Sequence, residues 1–395
     1  MRLKLEKFTI DNVDIHNKKV LLRVDLNSPL VRGKILLSDR IRQHVKTIKE
    51  LLKKKAALVV ISHQGRRGES DFISLRQHAK LLNKFVKIKF VNDIFGQKAI
   101  NSIKKLRGGE ALLLENVRFA KEEFEVDVEN KFLNNLSPLF DLFILDAFSV
   151  FHRKQTSVTG FAQVLPTYLG KNAEKELNFL SNIKKRDRVI YVLGGAKINE
   201  NLDLMKFALK KNTNKVLVSG LLGHLCLIAN GKELGGQNKF LEKKRLYRFL
   251  PILRKIVKNY EDKIEMPIDL ALKIDGKRKE FDLNKFPRKE EVFDIGEKTI
   301  RKYVSIIKDA KNILIKGPPG YYQEKKFRKG SMRIFSAVPL SAFSIVGGGD
   351  TTTALRLCRI KKSKFSYVSL SGGALAEYIA GKKLPVLEIL KKKDV

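Results

Sequence analysis

The sequence predicts an α/β protein of two domains, each a doubly wound parallel sheet flanked by helices, the two joined by a helix and hinge. Three observations predict it. The chain has 395 residues, more than one hydrophobic core usually holds. Short, almost wholly apolar runs alternate with amphipathic stretches, the signature of parallel strands covered on both faces. Composition also shifts near the middle: strands of the first half run into Arg, Asp, Asn and His, those of the second half mostly into glycine.

The first strand is KVLLRVDLN (19–27). A helix follows, with Ser38 or Asp39 as N-cap and Ile41, Val45, Ile48, Leu51 and Leu52 on one face. Further strands are expected at 57–65, 111–119 and 142–150. Residues 172–185 read as one helix joining the halves. Beyond it come strands at 189–195, 215–220, 313–320, 343–350 and 365–373, then a short closing helix in KKLPVLEILKKK. The expected domains are 1–170 and 182–370, with 171–185 between them and a tail, about 375–395, packing back on the first domain.

Charge is the unusual bulk property. Lys plus Arg number 80 against 42 Asp plus Glu, a formal net charge of +38. Such a field attracts polyanions. The basic residues are spread over the chain, however, in stretches such as Lys53–Lys55, Lys243–Arg245 and Lys391–Lys393. Without a basic tail or an RNP-like strand, nucleic acid enters only as a weak, non-specific partner. No apolar run approaches the roughly 20 residues that span a bilayer, and the N-terminus lacks a signal-peptide core. A cytoplasmic location without a membrane partner is therefore expected. Cys226 and Cys358 are far apart and read as buried thiols of a reducing compartment.

Ligands of doubly wound sheets bind beyond the carboxyl ends of the strands. In the second half those ends carry Gly194-Gly195, Gly317-Pro318-Pro319-Gly320, Gly347-Gly348-Gly349 and Gly372-Gly373. One glycine turn is more often only a tight turn. Several on successive strands suggest backbone N–H groups and helix N-termini facing a nucleotide polyphosphate. There is no Walker A sequence. Lys197 opens the helix after Gly194-Gly195, where a cation could reach a phosphate, although an isolated lysine is usually solvated. Asp350 closes the triple glycine, as a Mg²⁺ ligand or simply a helix cap. In the first half Arg23, Arg40, His63, Arg66, Arg118, His152 and Arg153 fall at strand ends or helix starts, with Asp25 and Asn27 among them. Each arginine alone reads as a surface ion-pair partner; gathered on one rim they would form an oxyanion basket. The residues thus point to a kinase with a hinge, a small multi-anion on one domain and a nucleotide on the other.

The segments RVDLNSP (23–29), SHQGR (62–66), LLENVRF (113–119), DAFSVFHR (146–153), LGGAK (193–197), GPPG (317–320) and GGGDTTT (347–353) together resemble phosphoglycerate kinases, in the family's order and over essentially the whole chain. Among them the sequence looks most like archaeal members. The resemblance implies reversible phosphoryl transfer between 1,3-bisphosphoglycerate and ADP, giving 3-phosphoglycerate and ATP with Mg²⁺, by a cytoplasmic enzyme, monomer or homodimer. It implies that Asp25, Asn27, Arg40, His63, Arg66, Arg118 and Arg153 bind 3-phosphoglycerate or its bisphosphate, Arg40 also stabilising the transferring group. Lys197 would meet the nucleotide phosphates and Asp350 the Mg²⁺. Gly194, Gly195, Gly317, Gly347, Gly348, Gly349, Thr351, Gly372 and Gly373 would line the nucleotide and transfer sites, with Gln323 where relatives place a ribose-binding glutamate.

The chain departs from the family pattern at Gln155, at Asn201 (a second lysine in many relatives), at Lys316 (usually asparagine), at Gln323, and at Leu370 and Ser371. Two other readings compete. One is a basic nucleic-acid-binding protein on a degenerate kinase fold. The other is a kinase for a different acyl phosphate, which the intact first-half set argues against.

Overall fold

The molecule, a computed structural model, is described over residues 5–126, 129–211 and 214–394. Its apolar runs form two compact units, Met1–Asn178 with Lys383–Val395, and Phe179–Lys382.

In the first unit the strands are β1 (Lys19–Arg23), the hairpin pair β2 (Leu30–Val31) and β3 (Lys34–Ile35), β4 (Ala57–Ile61), β5 (Lys89–Phe90), β6 (Ala111–Leu113), β7 (Leu142–Leu145) and β8 (Thr167–Leu169). All but the hairpin pair in parallel, in the order β5-β6-β4-β1-β7-β8. Val20, Leu22, Leu58, Val60 and Ile144 form one face of the core, and the helix Asp39–Lys53 lays Ile41, Val45, Ile48 and Leu51 against it. Burying each such side chain contributes about 1.5–3 kcal/mol. Ser38 is the N-cap, its hydroxyl accepting from the Ile41 amide; Leu52 is only half-buried.

The second unit holds β9 (Val189–Leu193), β10 (Lys215–Val218), β11 (Ile264–Glu265), β12 (Asp269–Ile274), β13 (Lys277–Asp282), β14 (Val292–Ile295), β15 (Asn312–Lys316), β16 (Phe343–Gly347) and β17 (Tyr367–Ser369). Six of these form a parallel sheet, β11-β10-β9-β15-β16-β17. Val192, Ile313, Ile315 and Val346 meet Ile300, Tyr303 and Ile307 of the helix Glu297–Lys308 in its core.

Both sheets reverse their winding, between β1 and β7 in the first and between β9 and β15 in the second. Chain segments leaving adjacent strands diverge there, and a crevice opens beyond the carboxyl ends. The residues at those ends are Arg23 to Asn27 and Asp146 to Arg153 in one unit, and Gly194-Gly195 and Gly317-Pro318 in the other.

Several expectations need correction. The strands expected at 19–27, 111–119 and 142–150 stop at Arg23, Leu113 and Leu145, with single turns at Val117–Phe119 and Phe148–Val150. The polar residues beyond them bond side chains instead of laddering: the Asn27 amide donates to Asp25 Oδ1 two residues back, and the Ser28 amide to Gln64 Oε1 on the turn after β4. The short strands β5, β8 and β11 carry too few residues to show a period. Beside the two expected parallel sheets stands a small antiparallel sheet, β13-β12-β14, that the apolar runs did not announce. Its hairpin turns at Asp275-Gly276, both at positive φ, and that Asp-Gly pair was the available signal. Cys226 is buried but Cys358 is partly exposed. The helix Gly373–Ile379 stays with the second unit, where Lys382 pairs with Asp203 at 2.5 Å. From Lys383 the chain returns to the first unit, and Lys393 in the helix Pro385–Lys393 donates to the Leu165 carbonyl. Among the described residues no helix is long and apolar enough to cross a membrane.

Candidate functional site

The first unit gathers its cations where β1 and β7 diverge. Arg23, the last residue of β1, is fully buried. Its Nε donates to Ser157 Oγ at 3.0 Å and its Nη2 to His63 Nδ1 at 3.0 Å. A guanidinium only donates, so His63 Nδ1 is an acceptor and Nε2 carries the ring proton. Asp25 forms an ion pair with Arg40, and its amide donates to His44 Nε2. His44 Nδ1 in turn donates to Asp146 Oδ2 at 2.8 Å. Asn27 Oδ1 accepts from the Gly65 amide at 2.8 Å, and Arg118 Nη1 donates to the Gly65 carbonyl. Arg66 is exposed at the edge of this group, and Arg153 is half-buried.

Electrostatically the cluster is under tension. Burial, then repulsion from Arg153 and Arg23, pushes the Arg118 guanidinium down to about 9; burial pushes Arg23 down to about 10. Burial also lowers Arg153, with Arg66 adding repulsion. His63 is driven well below its usual range by burial, with Arg23, Arg118, Arg153 and Arg40 all adding to it. It is therefore a neutral donor, unsuited to removing or delivering protons near neutral pH. Beside Asp25, a buried compensating charge is Glu123, which takes the Ser157 amide at 2.9 Å and hydroxyl at 2.7 Å. Arg118 Nη2 and Arg153 Nε are buried without a protein acceptor. Buried donors of this kind call for oxygens of a ligand.

In the second unit a cavity of about 600 Å³ opens beyond β9 and β15. One part of its wall is polar: Gly194, Gly195, Lys197, Lys316, Gly317, Gly347, Gly348, Asp350 and Thr351. Another part is largely apolar, with Leu221, Phe240, Val292, Phe293 and Tyr321; Gln323 also lines the cavity. Lys197 and Asp350 are half-exposed, 3.9 Å apart. Tyr322 donates to Asp350 Oδ1 at 3.2 Å. Thr351 Oγ1 accepts from the Gly317 amide at 2.9 Å and donates to the Gly347 carbonyl at 2.7 Å, tying the two turns together.

The expected free amides at Gly194-Gly195 are a correction. The Gly194 amide donates to the Lys316 carbonyl and the Gly195 amide to the Pro318 carbonyl, each at 2.8 Å. These glycines serve close approach of two turns: a Cβ on Gly317, at φ +85°, would lie 2.0 Å from the Gly194 carbonyl oxygen. The helix Gly349–Leu357 starts beside the cavity, and first-turn amides of a helix have no intrahelical acceptor and suit an anion. Gly349, Gly372 and Gly373 lie outside the cavity wall; a Cβ on Gly372 would stand 3.5 Å from Lys197 Nζ.

The departures acquire roles. Asn201 is buried and its Nδ2 donates to the Gly194 carbonyl at 2.5 Å, bracing the turn. Lys316 is buried at the end of β15 and pairs with Glu200 at 2.6 Å. Burial lowers its ammonium, Glu200 works against that, and Lys197 adds to it. The sequence reading missed Glu123, His44, Asp146 and Glu200. Only Asp146 lies in one of the recognised motifs, at the start of DAFSVFHR, and nothing in that motif gives it a role of its own.

A Mg²⁺ ion accompanying a nucleotide needs few protein ligands, because phosphates and water supply the rest. Asp350, a half-exposed carboxylate at a helix start beside the cavity, fits that demand.

The phosphoglycerate kinase family model matches residues 10–382. The phosphoglycerate kinase of Sulfolobus acidocaldarius is 40% identical over 397 residues, covering 97% of this chain and 95% of its own. That of Methanopyrus kandleri is 37% identical, with 97% of each chain covered. The crystal structure of the Pyrococcus horikoshii enzyme superposes with a TM-score of 0.89 at 34% identity, covering 97% of this chain and 98% of that one. With motifs, fold and full-length likeness in agreement, this chain belongs to the phosphoglycerate kinase family and has phosphoglycerate kinase activity.

Proposed function

We propose that the first unit binds 3-phosphoglycerate or its bisphosphate and the second binds ATP or ADP with Mg²⁺. The observation that carries this reading is the gathering of Arg23, Arg40, Arg66, Arg118 and Arg153 against fewer carboxylates, with the buried donors Arg118 Nη2 and Arg153 Nε lacking a protein acceptor. A ligand with a carboxylate and a phosphate satisfies both the charge and the donors. Asp25 and Asn27 orient Arg40 and the Gly65 turn, and His63 offers its Nε2 proton to a substrate oxygen.

The acceptor in the ATP-consuming direction is a carboxylate, ionised at neutral pH, so no general base is required. Arg40 and Lys197 serve as fixed charges that hold and stabilise the migrating phosphoryl group as the carboxylate oxygen–phosphorus bond forms and the bond to ADP breaks. Asp350 would hold the Mg²⁺, which when bound neutralises phosphate charge. Each ligand site is built within one chain, so a cytoplasmic monomer suffices, and a homodimer would carry two such pairs.

The test separates the two sites. Arg118→Ala with Arg153→Ala is expected to raise KM for 3-phosphoglycerate at least tenfold while KM for ATP changes little. Asp350→Asn is expected to act the other way. A double arginine variant that weakens ATP and spares 3-phosphoglycerate would overturn the assignment.

A further inference from the structure

The proposed mechanism leaves several buried titratable groups of the cavity wall unused, His224 among them. His224, on the helix Gly220–Ala229, is only 4% exposed and lines the cavity beside Leu221, Phe240 and Val292. Its Nδ1 lies 3.0 Å from Gln237 Nε2. Gln237 is itself buried, and its Oε1 accepts from the Val292 amide at 2.9 Å. An amide hydrogen can only donate, which fixes the carboxamide with its oxygen toward Val292 and its NH₂ toward the ring. His224 Nδ1 is then an acceptor, and Nε2 carries the proton. Burial lowers the imidazole to about 4, so the ring stays neutral and keeps this tautomer through neutral pH.

Resting on the reading of this cavity as the nucleotide site, we propose that His224 is a specificity-determining residue whose Nε2–H reads a ring nitrogen of a bound purine. The surrounding wall suits a base: Phe240, Val292, Phe293 and Tyr321 supply flat or apolar surface, and Phe293 packs edge-on against Tyr321 with ring centroids 5.5 Å apart. Within such a surface a single fixed donor sets which edge of the base can be accepted. Buried polar groups discriminate strongly, because a ligand without the matching acceptor leaves the donor unpaired. The Val292–Gln237–His224 chain is a positioning device for that donor, anchored on a backbone amide of β14.

The experiment compares ATP with 1-deaza-, 3-deaza- and 7-deaza-ATP, each lacking one ring acceptor, as substrates of the wild-type protein and of His224→Phe. Lys197→Ala serves as a control for the cavity. Expected is a rise in KM of about tenfold for one of the three analogues with the wild type, and loss of that difference in His224→Phe. Equal KM values for all three analogues would overturn the proposal, as would discrimination that persists in His224→Phe. If His224→Phe does not fold, the wild-type series decides alone. Weakened ATP use by Lys197→Ala beside undiscriminated analogues would remove only the base-reading role. No effect of Lys197→Ala on ATP would remove the nucleotide reading of the cavity, and this inference with it.

Discussion

Arg23 and Glu123 show how a site built to hold anions is kept in a folded protein without one. Arg23 is the last residue of β1 and has no access to solvent, while Glu123 is equally buried and reaches it through Ser157. Burial raises the Glu123 carboxyl, and Arg23 and the Ser157 donors oppose that rise. Removing one partner of such a pair leaves a buried charge without compensation. Glu123→Gln is accordingly expected to lose about 3 kcal/mol of stability, read as a drop in the urea midpoint; an unchanged midpoint would contradict the pairing. His78 gives a pH prediction. Burial pushes its imidazole down to about 4, against about 6.5 in an unfolded chain. As pH falls through that window the unfolded chain binds a proton that the folded one refuses. His78 therefore removes about 1.4 kcal/mol of stability per pH unit. The stability of the wild type relative to His78→Gln should shrink from pH 7 to pH 4, and a constant gap would show otherwise. At this scale the sequence displayed the arginines, His63, Lys197 and Asp350 through motifs. It did not display Glu123 or His44, because a counter-charge is identified only by what folds beside it.

Turns and helix ends carry the second unit's cavity. The Gly194-Gly195 and Gly317-Pro318 turns clasp through two amide–carbonyl bonds, and Thr351 ties in the Gly347 turn. Gly317→Ala places a methyl group against the Gly194 carbonyl at a positive φ, so the clasp must open. KM for ATP is expected to rise more than tenfold with 3-phosphoglycerate affinity retained; an unchanged KM would mean the clasp does not shape the nucleotide site. In the first unit Ser38 caps the helix that presents Arg40, accepting from the Ile41 amide at 3.4 Å and meeting Ser28 Oγ at 2.6 Å. Ser38→Ala should lower stability by about 1 kcal/mol, checked by thermal melting. Long parallel strands and the capped helix were legible because apolar runs and 3.6-residue periodicity are strong signals. Two- and three-residue edge strands such as β5 and β11 have no period to read. The β12–β13 hairpin was hidden by charges: β13, KRKEFD, has little apolar alternation although the Asp-Gly turn marks it.

Across the whole molecule, two six-stranded parallel sheets each reverse their winding once and open a crevice there, where the proposed anion sites lie; the parallel sheets were predictable from alternating strands and helices alone. What composition left open was the purpose of a net charge of +38. Part of it faces the first unit's site, where arginines outnumber carboxylates; a field of this sign steers anionic substrates and is screened by salt. The most direct measurement is a coupled assay with 3-phosphoglycerate, ATP and Mg²⁺ on the wild type and on Arg40→Ala, with ATP binding by calorimetry alongside. The account predicts turnover in the wild type and a kcat lowered about a hundredfold or more in Arg40→Ala, with ATP affinity unchanged. Turnover that survives the loss of Arg40 would contradict the claim that fixed charge, rather than proton transfer, drives this reaction.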